Sequence, residues 1–281
     1  MSRCGSFVAY GEVTLNYITM QNLKTIRLVI IKTQELGESD KLITGYSRER
    51  GKLQLLAKGA QRSLKRFVNK LELFSYLTVQ YNDKYRLPII NWAELLNSFL
   101  PLRQDYNSYT TAILICEHLY YWTTADDGDE ELFGCLLWFL KELARQPARG
   151  SQLLVLFLSK LYDRLGYRPD LTSCAVCGKL DNTAAPFAFR TGHGTIICRR
   201  CYVEKGAIPL ALPTVKLLSL AFEMPVEKLS RLKLNTQACR EALNLFRCYG
   251  RYLLDRDMQA WQTMNTAGYP SPSDPLLYFN R

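Results

Sequence analysis

From Thr25 to Ile90 the apolar positions recur at every second residue in short runs, which predicts β-strands. Thr25–Lys32 (TIRLVIIK) is rich in β-branched residues, and Lys41–Ser47 follows between the turn residues Glu38-Ser39-Asp40 and Arg48-Glu49-Arg50-Gly51. Lys52–Lys58 alternates, with Leu53, Leu55 and Ala57 on one face and Lys52, Gln54, Leu56 and Lys58 on the other. Ser75–Tyr81 and Tyr85–Ile90 are joined by Asn82-Asp83-Lys84, a hairpin signal. Beyond Trp92 the period lengthens to that of a helix. Glu94–Phe99 reads as a short connecting helix and Tyr106–Trp122 as a long apolar one. Asp129 is placed to cap Glu130–Ala144, whose Leu132, Leu136, Phe139, Leu140 and Leu143 form one stripe. Ser151 is placed to cap a helix carrying Leu154, Phe157, Leu158, Leu161 and Leu165, ended by Gly166. Pro213–Met224 and Ala238–Asp255 read as two more helices.

Five short strands with a basic loop between the third and fourth predict a small closed barrel of the OB type, although an SH3-like barrel has the same pattern. The expected class is therefore α+β: an N-terminal OB-type barrel, then a helical domain with a cysteine-rich ribbon inserted in it. The expected boundaries are an N-terminal extension at 1–24 and the barrel at 25–92. The helical domain follows at 93–170 and 207–262, the ribbon at 171–206 and a proline-containing tail at 263–281.

Four cysteines add a metal to this picture. Cys174-x-x-Cys177 and Cys198-x-x-Cys201 are two close pairs separated by 20 residues, the spacing of two zinc knuckles. Four thiolates fill a tetrahedral shell and leave no open position, which points to a single structural Zn²⁺ per chain and not to a catalytic one. Phe187-Ala188-Phe189 and Thr195-Ile196-Ile197 read as strands between the pairs, with Thr191-Gly192-His193-Gly194 as their turn and His193 exposed at its tip. Five further cysteines are scattered and no secretory signal precedes them, the usage of a reducing compartment. Cys116, Cys135, Cys239 and Cys248 are expected as core thiols. No apolar run approaches the ~18 residues of a membrane span, so a cytoplasmic, nucleoid-associated location is expected.

Charge adds a partner. The net charge is +10, from 36 Lys and Arg against 26 Asp and Glu. Between Lys24 and Lys70 there are 12 basic and 4 acidic residues, so a net of +8 lies in one stretch. Residues 58–70 hold five cations and no acid. Such segregation suits a polyanion, and a loop of this kind can follow a phosphate backbone by charge alone. The candidate DNA-binding residues are Arg27, Lys41, Lys52, Lys58, Arg62, Lys65, Arg66 and Lys70. Tyr46, Phe67, Phe74, Tyr76 and Tyr81 could stack bases, but strand alternation favours the barrel interior for most of them.

Catalytic chemistry has little to stand on. His118 lies on an apolar helix, and His193 is the only other histidine. Gly45–Lys52 glances at a phosphate loop, but it has one residue too many between its glycines and Leu53 where Ser or Thr must bind Mg²⁺. A nuclease could draw on Glu72, Glu94 and the acidic cluster at 126–131, though helix capping explains the cluster. No residue pattern supports an enzyme.

The run Glu35-Leu36-Gly37-Glu38-Ser39-Asp40-Lys41-Leu42-Ile43, then Gly51-Lys52-Leu53, then Ala57-Lys58-Gly59-Ala60 with Arg62 and Arg66-Phe67, resembles the N-terminal domain of the bacterial recombination mediator family RecO. Leu165-Gly166-Tyr167-Arg168-Pro169 leading into Cys174-Ala175-Val176-Cys177-Gly178 resembles that family's entry to its zinc ribbon. The likeness spans roughly Thr25 to Asp255. It implies a non-enzymatic role: binding single- and double-stranded DNA, annealing complementary strands, and assisting recombinase loading on DNA coated by single-strand-binding protein. The partners it implies are RecR and the acidic, hydrophobic C-terminal tail of the coating protein, with the participation of RecF left open. The alternative from another class is a zinc-containing nuclease or other nucleic-acid-modifying enzyme, and a third is an RNA-binding factor that uses the ribbon.

Overall fold

The structure, a computed structural model, describes residues 23–63, 65–182, 185–202 and 207–266. The expected extension at 1–24 and tail at 263–281 therefore lie outside the described residues, except where 23–24 begin the first strand and 263–266 end the last helix. The chain divides into two units. One holds the described residues up to Ser98 together with Thr123–Asp129. The other holds Phe99–Trp122 and the described residues from Glu130 onward.

The first unit is a closed five-stranded barrel, β1 (Leu23–Leu36), β2 (Asp40–Ser47), β3 (Gly51–Ala57), β4 (Tyr76–Asn82) and β5 (Ile89–Asn97), in the order β1-β2-β3-β5-β4. This is the OB-like arrangement. Strand β1 serves two neighbours, pairing β4 through Leu23–Val29 and β2 through Leu28–Leu36, with a bulge between Ile30 and Lys32 where it bends from one to the other. One parallel pairing, Leu56 with Ile89, joins β3 to β5 and closes the ring. Alternate residues fill the interior: Ile26, Leu28 and Ile30, then Leu53, Leu55 and Ala57, then Leu77, Val79 and Tyr81. At Gly45 a Cβ would stand 2.8 Å from both methyls of Leu28, so glycine leaves the room that this buried side chain fills.

Two expectations are corrected. Glu94–Phe99 is not a connecting helix, because β5 continues to Asn97. Residues 85–88, read as the start of a strand, are irregular, and the strand begins only after Pro88, which has no N–H for a ladder. Bulges between Tyr76 and Leu77 and between Gln80 and Tyr81 shift the β4–β5 register. They break the strict alternation by which the last strand would have been recognised.

In the second unit the helices are α1 (Leu100–Gln104), α2 (Tyr106–Trp122), α3 (Glu130–Arg145), α4 (Gly150–Arg164), α5 (Leu212–Glu223), α6 (Val226–Leu229), α7 (Thr236–Leu254) and α8 (Gln259–Thr266). Helix α4 is buried nearly all round, from Leu153 through Tyr162, and is the centre of the bundle. Phe139 packs on Phe157 at 5.4 Å and Tyr162 on Phe246 at 5.0 Å. The expected stripe on α3 is buried throughout, whereas Leu165 is half-buried. Ser151 does not cap α4: the helix already includes Gly150, and its preceding residue, Arg149, supplies no side-chain cap. Cys116, Cys135 and Cys239 are core thiols, but Cys248 is only half-buried and lies 3.5 Å from Asn244 Oδ1. Among the described residues no helix is long and apolar enough to cross a membrane.

Between α4 and α5 lies a four-stranded sheet, β6 (Asp170–Cys174), β7 (Phe187–Arg190), β8 (Thr195–Cys198) and β9 (Ile208–Leu210), ordered β6-β8-β7-β9. The expected β7–β8 hairpin is present with His193 exposed in its turn. The outer strands β6 and β9 carry no alternation long enough to be read from sequence.

Candidate nucleic-acid interface and metal centre

The basic loop after β3 is not a free strand of charge. It is stitched to the β1–β2 turn at one mouth of the barrel. The carboxylate of Asp40 accepts from the backbone N–H of Gly59 at 2.8 Å and from the Ser39 hydroxyl at 3.0 Å. These two bonds hold its pKa below the usual carboxylate range. The N–H of Gln61 donates to Ser39 O at 2.9 Å, and its amide nitrogen to Asp40 O at 2.9 Å. Gly59 takes φ +66°, which lets the chain leave β3 and turn across the mouth. Phe67 and Leu71 then dip into the barrel end and join its core. Among its described residues the loop contains no regular helix.

This anchoring sorts the eight predicted cations. Lys58, Arg62, Lys65 and Arg66 stand exposed on the stitched loop. Arg62 pairs with Glu38 at 3.0 Å, both ends open to water, so the pair adds little stability and leaves the guanidinium reachable. Arg66 lies 4.2 Å over the Phe67 ring and donates to the carbonyl of Lys58. Lys41 sits at the same mouth, half-buried, 3.3 Å from Glu72. Lys70 is also half-buried and donates to Ala93 O on β5 at 2.9 Å. Two residues fall elsewhere. Lys52 lies at the far end of β3, its N–H bonded to Thr124 O at 3.2 Å. Arg27 is exposed on β1 in one row with Thr78 and Glu94. The structure thus brings six of the eight candidates around one mouth and separates two.

Most of the candidate stacking rings are interior. Tyr46, Phe67, Phe74 and Tyr81 are buried, and only Tyr76 is partly open. One exposed ring that sequence reasoning passed over is Trp92, 45% exposed on the outside of β5. Its signal was present in the alternation of Trp92, Glu94 and Leu96 against Ala93 and Leu95, once 94–97 is read as strand.

In the second unit Cys174, Cys177, Cys198 and Cys201 place their sulfurs within 4.8 Å of one another. Strands β6 and β8 run parallel, and Cys174 and Cys198 are their last residues. Both C-x-x-C turns therefore leave the sheet at one edge and curl toward each other. Cys177 Sγ lies 3.7 Å from Cys198 Sγ, far beyond a disulfide bond. It matches the edge of a tetrahedron of thiolates about 2.3 Å from a central zinc, roughly 3.8 Å. Burial raises the pKa of the Cys174 thiol, but the N–H groups of Cys177, Cys198 and Val176 outweigh it and bring the thiol down to about 6. The thiol of Cys201 is pushed up to about 12 by its bond with Cys198 and by burial, an effect that a metal cation would reverse. The four residues fit a thiolate-bound metal. Among the described residues this is the one group of three or more such side chains close enough to share an ion. Glu72 and Asp126, carboxylates a nuclease could use, instead pair with Lys41 and Arg50.

His118 is fully buried. Its Nδ1 lies 2.8 Å from Leu114 O, and Nε2 has no partner among the described residues. Burial lowers its pKa to about 4, which keeps the ring neutral and makes it a packing residue.

Comparison with known proteins agrees with both halves. Residues 9–99 match the family model described as Recombination protein O N terminal, and residues 103–262 match Recombination protein O C terminal. The chain is 34% identical over 217 residues to the DNA repair protein RecO of Syntrophobacter fumaroxidans, covering 75% of this chain and 85% of that one. It is 28% identical over 241 residues to the DNA repair protein RecO of Syntrophus aciditrophicus, covering 84% and 93%. With the DNA repair protein RecO of Caldanaerobacter subterraneus it shares 30% identity over 245 residues, covering 86% and 96%.

Proposed function

Because the chain belongs to the RecO family of DNA repair proteins, we propose that it acts as a recombination mediator. It binds single- and double-stranded DNA, anneals complementary strands, and helps recombinase load on DNA coated by single-strand-binding protein. RecR and the acidic, apolar C-terminal tail of the coating protein are its proposed partners, and RecF remains a candidate third.

The observation that carries this reading is the stitched loop. Lys58, Arg62, Lys65 and Arg66 are exposed on a segment whose backbone is tied to the β1–β2 turn. Cations held in place in this way bind phosphates with less ordering cost than cations on a free tail. Two strands brought to one cationic surface lose much of their mutual repulsion, and base pairing does the remaining work. That process breaks no covalent bond, so it needs no catalytic side chain. The ribbon cysteines would hold one Zn²⁺, which closes the small sheet as a folding element.

The test follows duplex formation from complementary strands precoated with single-strand-binding protein, with and without RecR, in parallel with labelled DNA in Mg²⁺ or Mn²⁺. Annealing without cleavage is expected. Cleavage would establish the nuclease instead, and absence of annealing under every condition would remove the mediator reading.

A further inference from the structure

We propose that a pocket at the barrel mouth takes a single nucleobase from a bound single strand, so that this surface grips bases as well as phosphates. The proposal rests on the nucleic-acid reading above and specifies its ligand. The pocket holds about 230 Å³, smaller than the roughly 300 Å³ typical of drug-sized ligands, and suits one flat ring system with its sugar and phosphate left outside. Phe67 lies buried beneath the lining with Arg66 over its ring, and Gln61, Ser63 and Asn69 contribute hydrogen-bonding groups. Lys41 and Glu72 stand side by side in the lining, 3.3 Å apart.

That last pair selects a base over a phosphate. A site for a bare phosphate would not hold a carboxylate, which repels it. A base edge offers N–H donors beside ring-nitrogen and carbonyl acceptors, the mixed pattern that an adjacent carboxylate and ammonium can meet. The polar groups retain capacity for it. Gln61 uses its amide nitrogen on Asp40 O and keeps its carbonyl oxygen. The Ser63 oxygen accepts from the Phe67 N–H at 3.1 Å and keeps its own hydrogen to donate. Asn69 occupies the left-handed region at φ +54°, a conformation uncommon outside glycine and best tolerated by asparagine, at a pocket position where backbone strain can serve a ligand. The exposed cations of the same loop would hold the flanking phosphates and direct the base inward.

The experiment uses the full chain and a single-stranded oligonucleotide of about 5 nucleotides, with each base in turn replaced by an abasic residue. Removing one particular base should weaken binding about tenfold, the scale of one base contact, while leaving the salt dependence unchanged. Val68→Trp, which fills the pocket from its exposed side, should abolish that difference. Glu72→Gln, which preserves shape, should reduce it and serves if the tryptophan variant does not fold. If the intact oligomer binds with a normal salt slope but every abasic version binds equally, the surface reads phosphate alone and the pocket is refuted. If no oligomer binds at any salt, the mediator reading fails first and takes the pocket with it.

Discussion

The backbone N–H of Cys198 donates to the sulfur of Cys174 at 3.3 Å, linking the two cysteine turns before any metal is considered. The bond is possible because β6 and β8 are parallel neighbours that end together. It stabilises a thiolate at Cys174, and a thiolate is the form a metal binds.

Elemental analysis should therefore find one zinc per chain. Cys174→Ser should lose most of it and lower the melting temperature, since structural zinc contributes its binding energy to folding, on the order of 10 kcal/mol in isolated zinc modules. Binding of DNA at the barrel should change much less. Unchanged melting after removal of zinc by a chelator would count against the structural role.

Salt dependence tests the loop. Each phosphate neutralised on a single strand contributes about 0.7 to the slope of log affinity against log salt, so five contacts give a slope near −3.5. The double variant Lys58→Glu, Lys65→Glu should reduce that slope by about 1.4. Arg27→Glu, at a position away from the mouth, should change it by less. Equal effects at the two places, read by titration at several salt concentrations, would show that the mouth is not privileged.

His118 gives a pH dependence with a defined sign. Its pKa is about 4 when folded, against 6.5 for the free side chain. Below pH 6.5 the unfolded chain takes up a proton that the folded one refuses, so stability falls as pH drops from about 6.5 to 4 and then levels off. The full loss is at most about 3 kcal/mol. His118→Leu should flatten that part of the profile in denaturant titrations.

Helix packing offers a fourth test. A Cβ on Gly250 would stand 2.4 Å from the Tyr162 hydroxyl, which donates to Phe246 O at 2.9 Å. Replacing glycine by alanine inside a helix ordinarily stabilises by up to about 1 kcal/mol. Here the clash should reverse the sign, and Gly250→Ala should destabilise by about 1–3 kcal/mol. Tyr162→Phe in the same chain should recover part of the loss, and a double-mutant cycle measures how much.

Much of this was legible in the chain. The strands up to Tyr81 and the long helices follow from periods of two and of about 3.6, because each segment buries one face and repeats a short local rule. The metal cluster was legible because C-x-x-C encodes its own turn. The last barrel strand was not, since two bulges on β5, opposite Gln80–Tyr81 and Tyr76–Leu77, interrupt its alternation: Asn91 and Trp92 both face out between the buried Ile90 and Ala93.

Charge shows the boundary best. Composition alone placed the cationic excess between Lys24 and Lys70 and made a polyanion its natural partner. It could not sort those cations, because contact between them is set by pairings far apart in sequence. Only the folded barrel ties Gly59 to Asp40, gathers Lys58, Arg62, Lys65 and Arg66 at one mouth, turns Phe67 inward, and leaves Arg27 and Lys52 apart. Local sequence dictates which segments curl or extend, while the neighbours of a side chain are decided by ring closure through Leu56 and Ile89 and by loops that cross it.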